Sequence, residues 1–242
     1  MALDVTDLRS FYASPLGAVA QRFIGEIVAE RWENCAGMSI LGIGYAIPFI
    51  EGFRANAVRV LAFMPAAQGV VNWPGAGVTS TALVDTAMLP LPDSSVDRVF
   101  VIHGLEMSDM PDAMLEEIWR ILTPGGRLIV VAPSRGGLWA RADTTPFGQG
   151  RPYSRGQLRD LMRETNFSPV HWAEALYVPP FTRASWLRSA AVFERIGNKL
   201  ALPGAGVHVV EATKQLYRPV GARRTARQLL PRLEPAIAAP RR

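Results

Sequence analysis

The stretch from Val96 to Pro133 leaves this chain few folds to choose from. "VDRVFVIH" is a short apolar run of strand character, "DAMLEEIWRIL" repeats its apolar residues at helical spacing, and "GRLIVVAP" is a second apolar run. Between helix and second strand stand Pro124, which cannot continue a helix, and Gly125 and Gly126, which turn the chain. The same alternation holds upstream, where "SILGI" reads as strand, "IPFIEGFR" as helix, "VRVLAF" as strand and "TALV" as a short strand after the loop "QGVVNWPGAG". Apolar strands alternating with helices predict an α/β protein with a parallel sheet covered on both faces.

The flanks fit that plan. From Thr6 to about Arg31 the pattern is helical, broken at Ser14-Pro15-Leu16, where Ser14 can cap and Pro15 can open a new helix. Ser154 and Gln157 stand at capping-box spacing and predict a helix running to Asn166. "SPVHWAEALYV" reads as strand, "RASWLRSAAVFERIGNKL" as helix and "GVHVVEATKQLY" as a final alternating strand.

Composition narrows the chemistry. Cys35 is the single cysteine, which excludes an internal disulfide and a cysteine-based metal site, and a total of three histidines argues against a histidine metal cluster. No apolar run reaches the roughly 18 residues of a membrane helix, and the opening "MALDVTDLRSFY" lacks a basic-then-apolar leader, so a cytoplasmic protein is expected. The net charge of +5 misleads: from Arg218 onward seven arginines face one acid, Glu234, so the tail carries +6 and the rest −1. A nearly neutral body argues against a nucleic-acid surface there and leaves weak contact with nucleic acid or anionic lipid to the tail.

The segment "LVDTAMLPLPDSSVDRVFVIHGLEMSDMPDAMLEEIWRILTPGGRLIVVAP" resembles the class I S-adenosylmethionine-dependent methyltransferases. It has an acid after the third strand (Asp85), Leu89-Pro90, Asp97 before the fourth strand, and Leu122-Thr123-Pro124-Gly125-Gly126 before the fifth. The resemblance implies a three-layer sandwich, Rossmann-like, with a mostly parallel seven-stranded sheet and an antiparallel last strand. It also implies S-adenosylmethionine as cofactor and methyl transfer to a small-molecule acceptor. The expected organisation is a helical cover over 1–37, a methyltransferase-like domain over 38–217 with a long loop at 134–153, and a basic tail over 218–242; assembly with itself or another chain is compatible with it.

Laid on the family's pattern, the cofactor loop is altered. The acid that ends the first strand is Gly42, the first glycine is Gly44, and Ala46 and Pro48 replace the other two. The acid ending the second strand is replaced by Phe63 and Met64, whereas Asp85, beside Thr86, stands where the family meets the adenine amino group. The resemblance therefore implies cofactor contacts from Gly42, Gly44, Tyr45, Phe63, Met64, Asp85 and Thr86, with Tyr45 equally readable as a core aromatic. Gly42 to Ile47 also matches part of a dinucleotide fingerprint, lacking its third glycine and ribose acid.

His103 follows the fourth strand, at the edge where open α/β sheets bind ligands, and is a candidate general base or a packed rim histidine. The loop after the fifth strand carries Arg135, Trp139, Arg141, Phe147 and Tyr153, charge mixed with rings, as a substrate lid would; an ordinary solvated loop is the plain alternative. Two functions remain open: methyl transfer, and a non-catalytic binding or regulatory protein that kept the fold.

Overall fold

The computed structural model describes residues 3–181, 189–200 and 204–216; the expected tail and part of the helix after residue 182 lie outside them. Two helices open the chain, α1 (Val5–Tyr12) and α2 (Pro15–Arg31). As expected, they part at Ser14, whose side chain accepts from the Gly17 N–H and caps α2, with Pro15 at its first position. β1 (Ser39–Gly44) leads through the single turn α3 (Ile47–Ile50) and a 3-10 turn to β2 (Arg59–Pro65), then β3 (Thr81–Val84) and β4 (Val96–Ile102). α4 (Pro111–Ile121), β5 (Leu122–Pro133), α5 (Arg155–Glu164), β6 (Phe167–Ala175), α6 (Ala190–Leu200) and β7 (Val207–Lys214) complete it. The expected capping box of Ser154 and Gln157 is formed at α5.

The sheet has seven strands in the order β3-β2-β1-β4-β5-β7-β6. β1 to β5 pair in parallel, and β7 runs antiparallel between β5 and β6, so the expected Rossmann-like architecture is borne out. Side chains leave alternate faces. Ile40, Ala62, Met64, Phe100 and Ile102 pack toward α1, α2 and α3. Leu41, Ile43, Phe63, Val99 and Val101 pack toward α4 and α5.

α4 buries Met114, Leu115, Ile118 and Ile121 completely, a stripe at helical spacing worth about 1.5–3 kcal/mol per side chain before entropy is charged. Helix passes to strand without an intervening loop: Leu122 already pairs with Val96, and Gly125 takes the bend inside the strand at φ +81°. Glu211 of β7 is buried and ties the two layers together. One oxygen accepts from Arg31 of α2 and the other from Arg127 of β5. Among the described residues no helix is long and apolar enough to cross a membrane.

Candidate active site

The carboxyl ends of β1 and β4 meet closely, and glycine makes that approach possible. Gly44 sits at φ +82°, and a Cβ there would lie 2.0 Å from the Ile102 carbonyl oxygen. A Cβ on Gly42 would lie 2.4 Å from that of Ala46 on the other side. Both glycines are thus required by packing. The Tyr45 N–H donates to Ile102 O at 3.1 Å, and the chain turns at once into α3.

Beside this junction lies His103. The sequence puts it after the fourth strand, as a candidate base or a packed rim histidine; the structure buries it completely, at φ +54°, because α1 and the loop after β5 close over it. Its ring lies 4.7 Å from that of Phe147. Nε2 is 2.7 Å from the Tyr12 hydroxyl, and Nδ1 is 3.4 Å from Oε1 of Glu106. Burial, then the Glu106 charge, then Tyr45 push the Tyr12 phenol well above its ordinary range. The phenol therefore keeps its proton beside Nε2, and Nδ1 on the other side of the ring faces Glu106. Neither Glu106 oxygen has a hydrogen-bond partner, nor does Gln68 Oε1, although Gln68 Nε2 donates to the His103 carbonyl at 3.0 Å.

The expected cofactor residues fall into three groups. Gly42, Gly44 and Tyr45 form the β1–β4 junction, with Tyr45 stacked on Tyr12 at 5.6 Å. Met64 is wholly buried beneath α1 and α2, whereas Phe63, one residue earlier, points to the opposite face with Leu89 and Val84. Asp85 is exposed and turns its Oδ1 to the Ala87 N–H at 2.9 Å, while Thr86 borders a small cavity.

The expected substrate residues are not brought together. Trp139 is buried, its Nε1 donating to Val178 O at 2.7 Å, and packs edge-on against buried Phe147. Arg135 and half-buried Tyr153 border a shallow cleft beside α5, and Arg141 is exposed apart from both. A larger cleft, about 460 Å³, opens between α1 and the 143–149 loop, lined by Asp7, Ser10, Phe11, Asp143, Thr144 and Gln149 among others. Tyr12, Gln68 and Glu106 were not singled out by the sequence. Phe11 and Tyr12 stand out only as an aromatic pair ending the first helix, and nothing local joins residue 12 to residue 103. No group of histidine, cysteine and carboxylate side chains able to hold a metal is present among the described residues.

Residues 45–130 match the family model described as a methyltransferase domain. The chain is 34% identical over 119 residues to the 27-O-demethylrifamycin SV methyltransferase of Amycolatopsis mediterranei, a match covering 46% of this chain and 42% of that enzyme. The chain thus spans under half the length of that curated relative. Among solved structures it is similar to the [4+2]-cyclase SpnF, with a TM-score of 0.56, 22% identity and 82% of each chain covered. It is also similar to the Burkholderia thailandensis 1,6-didemethyltoxoflavin-N1-methyltransferase, solved with that compound and S-adenosylhomocysteine bound. There the TM-score is 0.50, the identity 18% and the coverage 79% and 76%. The likeness is thus to a methyltransferase domain over residues 45–130 and to the fold of these solved structures over most of the chain.

The conformation described does not fit that family's cofactor. The cavity bordered by Pro65, Ala67, Gln68, Thr86, Gly104 and Met107, at the ends of β2, β3 and β4, measures about 60 Å³. Small-molecule sites generally run to about 300–1,000 Å³. The room above the β1–β4 junction is taken by Tyr12, Tyr45 and Phe147.

Proposed function

We propose that this chain transfers a methyl group from S-adenosylmethionine to a small-molecule acceptor. The observation that supports this most is the matched methyltransferase segment folded into a sheet of order β3-β2-β1-β4-β5-β7-β6, with chemistry-bearing side chains gathered at its carboxyl edge. In this reading the cleft between α1 and the 143–149 loop receives the acceptor, its hydroxyls and two carboxylates suiting a polar ligand. His103, buried in the conformation described, takes the acceptor's proton once the Tyr12 hydroxyl and the Phe147 ring have moved off it, and Glu106 steadies the charged imidazole. Alignment of the acceptor supplies much of the rate.

A second reading, a binding protein that has lost the cofactor, is favoured by the 60 Å³ cavity and by the missing acids at β1 and β2. Titration calorimetry with S-adenosylhomocysteine decides between them. Binding in the micromolar range supports methyl transfer, to be followed by transfer of labelled methyl to an acceptor panel. No heat at millimolar ligand, with the protein folded, supports the second.

A further inference from the structure

Polar side chains are buried at the carboxyl edge with some of their atoms unsatisfied. Glu106 is 2% exposed and His103 not at all; His103 Nδ1 faces Glu106 Oε1 at 3.4 Å, while Glu106 Oε2 and Oε1 of Gln68, 5% exposed, have no hydrogen-bond partner. Buried polar groups are almost always satisfied, so such a set marks a place built to receive something.

What covers them is α1 together with the loop after β5, whose Phe147 ring lies 4.7 Å from that of His103. The Val5 N–H donates to the Gln68 carbonyl at 2.8 Å, and the Tyr12 hydroxyl closes on His103. α1 is a short helix of eight residues that buries Val5, Leu8 and Tyr12. It is also separable: α2 has its own cap in Ser14, so α1 can leave without unwinding its neighbour.

We propose that α1 is a lid lying in the cofactor's place, latched by Tyr12 on His103, and that it lifts to admit an adenosyl cofactor to a site whose polar lining includes Gln68, His103 and Glu106. This rests on the reading that the cofactor is S-adenosylmethionine. It reconciles a methyltransferase fold with a cavity too small for the family's ligand. The latch competes with the ligand, so apparent affinity is reduced by the fraction of molecules with the lid shut.

The geometry offers a lock. A Cβ on Gly69 would lie 3.8 Å from Cβ of Val5, within the span of a disulfide. The double variant Val5→Cys/Gly69→Cys should bind S-adenosylhomocysteine like the parent when reduced and at least about tenfold more weakly when oxidised. Gly69 has φ +85°, so Gly69→Cys alone, expected to bind like the parent, controls for local strain. Tyr12→Phe, which keeps the ring and removes the latch, should bind on the order of fivefold tighter. Equal binding by the oxidised and reduced double variant would overturn the lid while leaving the cofactor reading intact. Absence of binding by the folded parent and by every variant would overturn the cofactor reading, and the lid with it. Amide exchange in the parent tests the same motion without substitution. α1 should exchange faster than α2 and respond to S-adenosylhomocysteine; a binding parent whose α1 amides are unmoved would overturn the lid.

Discussion

Gly44 answers to a backbone neighbour before it answers to any ligand. Its φ of +82° and the 2.0 Å approach to Ile102 O mean that Gly44→Ala should lower unfolding free energy in urea by about 2–3 kcal/mol or more. Gly25 is the opposite case. It lies inside α2 with nothing near its absent side chain, and Gly25→Ala should stabilise by about 0.5–1 kcal/mol. The phenols supply a second test. Burial, then the Glu174 charge and hydrogen bond, push Tyr177 up to about 12, and Tyr12 lies well above the ordinary value of 10.0. The unfolded chain releases these protons near pH 10 while the folded one keeps them. Stability is therefore full below about pH 10 and lost as pH climbs toward 12. Urea unfolding across that window should show the fall, and Tyr12→Phe and Tyr177→Phe should each flatten it. Legibility at this scale is uneven. The sequence finds His103 because a strand end is a local feature. It misses Tyr12, its partner, because only the tertiary fold joins two residues separated by 91 positions.

Among the elements, the layer of α1 and α2 meets the sheet partly through one buried carboxylate. Glu211 is 1% exposed and holds Arg31 and Arg127 at 2.6–3.0 Å. Glu211→Ala leaves both guanidinium groups beside an empty buried site and should cost on the order of 3 kcal/mol, read from the denaturation midpoint at constant slope. Elements were more legible than contacts. The strands, α4 and the capping box of α5 could be read because each depends on short-range periodicity or on a pair three residues apart. The 134–153 loop could not. Its mixed charges and rings suggest a substrate lid, but Trp139 packs where Gly206 leaves room, a Cβ there falling 2.5 Å from the indole. A loop without periodicity carries no sign of which face is inside.

For the whole molecule, the departures from the family's pattern at β1 and β2 and the closed edge fall in one place. The acids that the resemblance places at the ends of β1 and β2 are absent, and the edge is filled by the chain's own aromatic rings, Tyr12 against Tyr45 and Phe49, Phe147 against His103. The place of the last strand in the sheet carries one more consequence. β7 is the last described strand in the chain and lies inside the sheet, pairing with β5 along Val207–Thr213 and with β6 along Val207–Lys214. During synthesis β6 emerges first and has no neighbour until β7 follows it out of the ribosome. A nascent chain stopped after residue 203 should therefore be protease-sensitive through β6, while one stopped after residue 216 with a linker to clear the exit tunnel should resist. For that interval the growing chain exposes two unpaired strand edges, and the ribosome-associated chaperones that shield such edges are the factors its yield should depend on most.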